Sequence, residues 1–372
     1  MKLFEYQAKE IFKECGIIVP DSILISSEDE LEAAVEQIGL PCVVKAQVLH
    51  GGRGKAGLVK FVKTKEEALQ EGVRILGVTG QRLLVEAAVE NVAEIYLSIT
   101  GDPVEGKALI MACGDGGMDI EEIARTEPEK ILKQHVDLAA GLLPYEGQNI
   151  FYSLGFDKET VKSANKMLAG LYKAFRTYEA ELVEINPLML TPDGQFVAAD
   201  GKLNIDDNAI YKYPQFEKTR AYYNTDLEYE AAQVGVPFLQ FDGNIGMLVA
   251  GAGLANVVFD LINYSGGSVG TYLEFGGPNY SKGKQCMELM LESNPKGILI
   301  VAFGTIARAD VMAEGIVEAY EELKPTIPVV TAIRGTGEER AKELLAQTPF
   351  EAYDDVEDAV ARIIELTGGA QA

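Results

Sequence analysis

From residue 238 onward the chain alternates short apolar runs with segments of helical spacing, and this rhythm restricts the fold more than any other feature of its 372 residues. Apolar runs at 245–250, 269–273, 297–303, 328–332 and 350–353 are each followed by a helical pattern, at 253–264, 282–292, 307–323, 338–347 and 356–366. Five strands that each lead into a helix predict a doubly wound α/β unit around a parallel sheet, with ligands at the carboxyl ends of the strands. The uncharged stretch 243–259 is too short for the ~20 apolar residues a bilayer span requires. It contains four glycines and two asparagines, so it reads as a strand, a glycine turn and a helix.

The first half follows a different pattern. Phe4, Ala8, Ile11 and Phe12 recur at helical spacing before Gly16, β-rich segments follow at 42–48, 58–62, 82–88, 94–100 and 107–112, and helical patterns fall at 65–77, 120–134 and 160–176. Segments 181–190 and 195–199 form a predicted hairpin through Thr-Pro-Asp-Gly. The expectation is an α+β domain over 1–225 and the α/β domain over 238–372, with the polar stretch 207–230 as linker. No internal repeat or low-complexity segment interrupts either.

Composition narrows the partners. Lys and Arg number 33 against 57 Asp and Glu, a formal charge of −24, which repels nucleic acid and anionic membrane surfaces alike. Cys15, Cys42, Cys113 and Cys286 are widely spaced and only His50 and His135 could join them, so neither a zinc cluster nor a disulfide framework is expected. The opening residues carry charges where a secretory leader needs an apolar run, and a cytoplasmic location is expected.

Two constellations could carry chemistry. Lys45 ends an apolar strand and is followed by His50-Gly51-Gly52-Arg53-Gly54-Lys55-Ala56-Gly57. Glycines that let backbone amides approach an anion, beside three cations, have the composition of a phosphate cradle; a solvated hairpin tip has the same composition. The order is not that of a Walker A loop. The second constellation is Glu184-Ile185-Asn186-Pro187 with Asp200-Gly201-Lys202 on the returning strand. Asn186 and Asp200 would supply hard oxygen ligands for Mg²⁺ between nucleotide phosphates, although Asn-Pro and Asp-Gly are also ordinary turn pairs.

FEYQAKE at 4–10, VVKAQ at 43–47, GGRGKAG at 51–57, LVEAA at 84–88, EINPL at 184–188, DGKL at 200–203, DGNIG at 242–246 and GAGLA at 251–255 resemble, in order and spacing, the β subunit of succinyl-CoA synthetase. The resemblance runs nearly end to end. It implies an amino-terminal ATP-grasp domain, a carboxyl-terminal flavodoxin-like CoA-ligase domain, ATP/ADP, CoA and Mg²⁺ as reactants and cofactor, and a separate α subunit carrying a phosphorylated histidine. By position, Lys45, Gly52, Arg53 and Gly54 match phosphate-binding residues. Glu86, Val89 and Glu94 match other nucleotide contacts, Asn186 and Asp200 the metal ligands, and Glu184 the carboxylate that orients the partner's histidine. Neither His50 nor His135 matches a phosphohistidine. His50 is left as a phosphate neighbour or a solvated loop residue, and His135 as a helix-surface or locally hydrogen-bonded one.

On the acid side the resemblance implies contacts at Ala250 and at Thr305, Ile306 and Ala307. Here the chain departs from the family pattern. Ala250 stands where the family has Asn, Gly276-Gly277-Pro278-Asn279 where it has GGGA, and Gly304-Thr305-Ile306-Ala307-Arg308 where it has GGIVR. Removing an amide side chain alters which small acid is preferred, so malate and sulfoacetate stand beside succinate as substrates. Other classes remain open: an ATP-grasp carboxylate–amine ligase, a non-catalytic nucleotide-binding regulatory subunit, and, on the weak Gly251-Ala252-Gly253 signal with Glu274, a nicotinamide dehydrogenase.

Overall fold

The computed structural model describes residues 1–80 and 82–368, so the last residues of the expected second domain, 369–372, lie outside the described residues. The chain forms two compact units, Met1–Lys218 and Thr219–Ala372.

The first unit begins with helix α1 (Glu5–Glu14), strand β1 (Ser22–Ile25), helix α2 (Leu31–Ile38), the hairpin β2 (Cys42–Ala46) and β3 (Val59–Val62), helix α3 (Lys65–Thr79) and β4 (Leu83–Ala87). The strands make an antiparallel sheet in the order β1-β4-β2-β3. Its inward residues Val44, Ala46, Leu83 and Val85 pack on Leu31, Val35, Ala68 and Ile75 of the two helices. Helix α3 starts where the Thr64 hydroxyl accepts the Glu67 amide and stops at Gly80 in the left-handed region.

There follow β5 (Ala93–Asp102), β6 (Lys107–Cys113), α4 (Ile120–Thr126), β7 (Leu132–Val136), α5 (Pro144–Ser153), α6 (Lys158–Thr177), β8 (Ala180–Leu190), β9 (Phe196–Ala198) and β10 (Lys202–Ile205). These strands form an antiparallel sheet in the order β10-β8-β5-β6-β7, with β9 also paired to β8. The Asp157 carboxylate caps α6, whose Val161, Ala164, Leu168, Leu171 and Phe175 recur at the spacing that buries one helical face.

The second unit contains α7 (Asp226–Val234), β11 (Phe238–Gln240), β12 (Ile245–Ala250), α8 (Ala252–Tyr264), β13 (Val269–Glu274), α9 (Gly283–Glu292), β14 (Gly297–Gly304), α10 (Ala309–Leu323), β15 (Val329–Gly335), α11 (Glu338–Leu345), β16 (Glu351–Ala352) and α12 (Val356–Thr367). The sheet order is β11-β13-β12-β14-β15-β16. Five strands are parallel and β11 is an antiparallel edge. Numbered along the chain the parallel strands read 2-1-3-4-5, the flavodoxin-like order. Helices α8 and α12 cover one face through Ala255, Val258, Ile262, Ala359 and Ile363. Helices α9, α10 and α11 cover the other through Met287, Met312, Ile316 and Leu344.

Three expectations need correction. The helix expected over 120–134 ends at Thr126, and the segment from Leu132 is strand β7, paired with β6. Pro128 disfavours a helical residue before it, and Glu127 takes φ −141° and ψ 56°. The stretch read as a linker contains α7 from Asp226. Asp200 lies in the link between β9 and β10 and is not itself in a strand. No helix among the described residues is long and apolar enough to cross a membrane.

Candidate active site

In the first unit the site begins on α1. Glu5, Ala8, Lys9 and Phe12 share one helical stripe, and all four are buried. Glu5 and Lys9 thus place an ion pair 2.7 Å long where an apolar face would ordinarily be. The β2–β4 pairing brings Lys45 and Glu86 beneath it. The Lys45 ammonium meets the Glu5 carboxylate at 3.1 Å and the Glu86 carboxylate at 2.6 Å, and also donates to the Ala199 carbonyl. Lys9 binds the other Glu86 oxygen.

Arg53, at the tip of the β2–β3 hairpin, completes the network. One guanidinium nitrogen binds Glu5, and another holds both Asp200 oxygens at 2.7 and 2.9 Å. Glu5, Glu86 and Asp200 therefore balance Lys9, Lys45 and Arg53. Burial pushes the Glu5 carboxyl upward, but Lys45, Lys9 and Arg53 outweigh it and hold it well below the usual range. For Lys45, burial works against the charge, and Glu5, Glu86 and Asp200 reverse the effect, so the ammonium stays protonated.

Above this network opens a cavity of about 560 Å³ lined by Glu5, Gly52, Arg53, Gly54, Glu184, Asn186 and Asp200, with His50, Lys55 and Lys202 among its further walls. The hairpin tip is compact: Ala56 donates to the Gly52 carbonyl and Leu58 to that of Arg53. The Lys55 ammonium reaches Asp119 at 2.8 Å across the mouth.

The floor is shaped by a bulge. Ile95 pairs with Leu188 and Leu97 with Ile185, so the single residue Tyr96 on β5 faces Asn186 and Pro187 on β8. Val183, Ile185, Leu188 and Leu190 thereby all stay buried while Glu184 and Asn186 face the cavity. Asn186 Oδ1 accepts the Gly117 amide at 2.7 Å, and its amide nitrogen donates to the Met118 carbonyl at 2.8 Å. Glu184 receives the buried Tyr96 hydroxyl at 3.2 Å and faces Lys202 at 3.8 Å. Burial raises its carboxyl above the ordinary value; Lys202 and Tyr96 counter this, while Asp200 and Glu121 add to it.

Thus Arg53, Gly52, Gly54, Glu184, Asn186 and Asp200 converge on one cavity, with Lys45 and Glu86 joined to it from below by ion pairs. Val89, beyond the end of β4, does not line it. Nor does Glu94, the second residue of β5, which accepts from Asn91 at 3.0 Å and lies beneath Gly117. Two buried participants, Glu5 and Lys9, were missed as site residues. Charges at i and i+4 within an otherwise apolar helical stripe were the available signal. His50 is exposed on the hairpin tip. His135 is on strand β7, and its Nε2 lies 2.8 Å from Asp102.

Asn186 and Asp200 offer hard oxygens in one cavity, and Mg²⁺ typically takes one or two such protein ligands and completes its shell with phosphate and water. The donor set fits that ion.

In the second unit the residues expected to contact the acid lie at carboxyl ends of strands. Ala250 ends β12, and Thr305, Ile306 and Ala307 follow β14, its parallel neighbour. The crossovers from β12 and β14 go to opposite faces of the sheet, which makes their junction the topological switch point where such folds bind ligands. Gly251 precedes α8 with no side-chain cap.

Comparison with known proteins gives these units a class. Residues 2–190 match the ATP-grasp domain family and residues 248–363 the CoA-ligase family. A subunit of an ADP-forming sulfoacetate-CoA ligase of Bilophila wadsworthia is 49% identical over 99% of this chain and 100% of its own length. The β subunit of an ADP-forming succinate-CoA ligase of Halorubrum lacusprofundi is 37% identical over 98% of each. The structure of ATP citrate lyase from Methanothrix soehngenii shares the fold, with a TM-score of 0.73 and 20% identity over 98% of each chain.

An ATP-grasp unit followed by a CoA-ligase unit defines an acid–thiol ligase that uses ATP, CoA and Mg²⁺. The chain belongs to the family of β subunits of ADP-forming acid–CoA ligases.

Proposed function

We propose that this subunit, with an α companion, joins sulfoacetate to CoA, converting ATP, sulfoacetate and CoA to ADP, phosphate and sulfoacetyl-CoA. The observation that carries this reading is the higher identity, over the whole length, to the sulfoacetate ligase subunit than to the succinate one. Ala250 is consistent with it. A sulfonate is a tetrahedral group with three oxygens, bulkier than a planar carboxylate, and a methyl side chain leaves it room at the end of β12.

Each residue then has a task. Arg53 and Lys45 neutralise the transferring phosphoryl group, and the amides of Gly52 to Gly54 cradle it. Asn186 and Asp200 would hold Mg²⁺, which would supply charge neutralisation for the phosphates. Arg53 and Asp200 grip one another, so nucleotide binding would exchange that pair for a phosphate oxygen on Arg53 and free the Asp200 carboxylate to serve as a ligand. Glu86, Val89 and Glu94 serve the rest of the nucleotide, and Glu184 orients the ring of the companion's histidine through its N–H.

The terminal phosphoryl group passes from ATP to that histidine, with ADP as the leaving group, and then to the carboxylate of the acid, forming an acyl phosphate. The CoA thiolate attacks the carbonyl carbon; the C–S bond forms, the C–O bond breaks and phosphate leaves. On the acid side, amides at the start of α8 and in the loop Thr305–Ala307 bind the substrate anion. Ile306 is 95% exposed and Phe303 45%, an apolar pair suited to burial under the companion chain. Four unpaired thiols suit a reducing cytoplasm.

Co-expression with the α companion and a coupled assay over sulfoacetate, succinate, malate and acetate tests the reading. The expected result is a kcat/KM for sulfoacetate at least about tenfold above that for succinate, a difference of ~1.4 kcal/mol. A preference for succinate would return the acid to the family default.

A further inference from the structure

Glu274 is the last residue of β13, level with Val249 of β12 in the parallel register. Its Oε1 accepts two backbone amides, Gly251 at 2.8 Å and Gly276 at 2.7 Å. One oxygen therefore ties the loop that follows β12 to the loop that follows β13. Neither glycine has an easy substitute. Gly251 lies at φ 112°, and a Cβ on Gly276 would sit 2.5 Å from the Gly251 nitrogen and 2.7 Å from the Glu274 oxygen.

Two amides converging on a carboxylate oxygen form the kind of nest that binds substrate anions. Here the chain fills the nest with its own side chain. The residue before Gly251 is Ala250, and the residue after it opens α8, so the tie sets where the wall of the acid site stands and which way the first amides of α8 point. The substrate anion is left the opposite side of β12, towards the loop after β14.

We propose that Glu274 is a positioning residue for the acid substrate, acting through the Gly251 and Gly276 amides to hold the β12 and β13 loops in register. The inference rests on the reading that the acid binds at these strand ends.

The test uses the complex with the α companion and three variants, Glu274→Ala, Glu274→Gln and Ala250→Leu. Glu274→Ala is expected to raise the KM for the acid at least about tenfold, the size of one lost hydrogen bond to a charged group. The KM for ATP and the ATP-dependent phosphorylation of the companion should stay at their original values. Glu274→Gln keeps an acceptor oxygen between the two amides and should recover most of the loss. Nitrate, a planar anion with no acyl group to pass to CoA, should partly restore the acid KM of Glu274→Ala by occupying the freed amides.

An unchanged acid KM in Glu274→Ala overturns the proposal. So does a loss of companion phosphorylation in that variant, or a Gln variant as impaired as the Ala one. Ala250→Leu separates the two ideas. If it leaves the acid KM unchanged, the acid binds elsewhere and the underlying reading fails. If it raises the KM while Glu274→Ala does not, only the positioning role fails.

Discussion

Glu5 shows how a single buried charge can organise a site. It is 4% exposed and contacts Lys9, Lys45 and Arg53. Replacing it by Gln leaves three cations facing two carboxylates, and breaking a buried pair in this way costs about 3–5 kcal/mol. The expected outcome is a lower Tm together with weaker ATP binding, measured by calorimetry and nucleotide titration. The pH dependence has a definite sign. The folded-state value of Glu5 lies below its ordinary 4.5, so its stabilisation is complete above about pH 4.5 and disappears as pH falls through the lower folded value. The stability gap between the native chain and Glu5→Gln should therefore narrow on acidification below 4.5. A gap that widens there would mean that Glu5 is not held ionised. Phe4 to Glu10 drew attention in the sequence as a motif, but the role of Glu5 became visible only once β2 and β4 were placed beside it.

Among the elements, β14 and β15 meet closely at their carboxyl ends. Gly335 lies at φ 101°, and a Cβ there would meet the Gly304 oxygen at 2.0 Å. Beyond it, the Thr336 amide donates to the Gly304 carbonyl and its hydroxyl to the Thr305 carbonyl, both at 2.9 Å. Gly335→Ala should lose roughly 1–3 kcal/mol from the backbone conformation alone, and the overlap adds to that by separating the strand ends. Hydrogen exchange at residues 304–309 should accelerate, and the acid KM should rise. Unaltered exchange there would show that the loop is not held by this junction. The parallel strands of the second unit and the helices between them were legible in advance because apolar runs and helical spacing alternate from residue 245 onward; α7 and the edge strand β11, which precede that alternation, were not. The segment 120–134 was misread because its polar and apolar residues also satisfy a helical period. What decided it was Pro128 and the free edge of β6, and the second of these is not a local property.

For the whole molecule, the charge of −24 makes an anionic surface around a site whose buried cations and carboxylates balance, so nucleotide binding should be sensitive to salt. On the proposed mechanism the subunit by itself should not turn over, because the phosphoryl carrier would belong to its companion. Ile306 provides the check. Ile306→Asp places a charge on a side chain that is 95% exposed, so the fold should tolerate it, while recovery of the α companion with the tagged subunit should fall severalfold. Full recovery with full activity would remove Ile306 from the interface.

The sequence by itself determined the class of each unit, the parallel sheet and its helices, the hairpin carrying Arg53, and the family, because all of these are written in local periodicity, turn residues and ordered motifs. Tertiary structure alone decided that Glu5 and Lys9 underlie the cavity at Arg53 and Asp200, that a bulge at Asn186 and Pro187 turns Tyr96 towards Glu184, and that Glu274 ties two glycine loops together. These arrangements depend on strand register and on charges brought together from distant positions, and a register is fixed only when every buried face finds its partner.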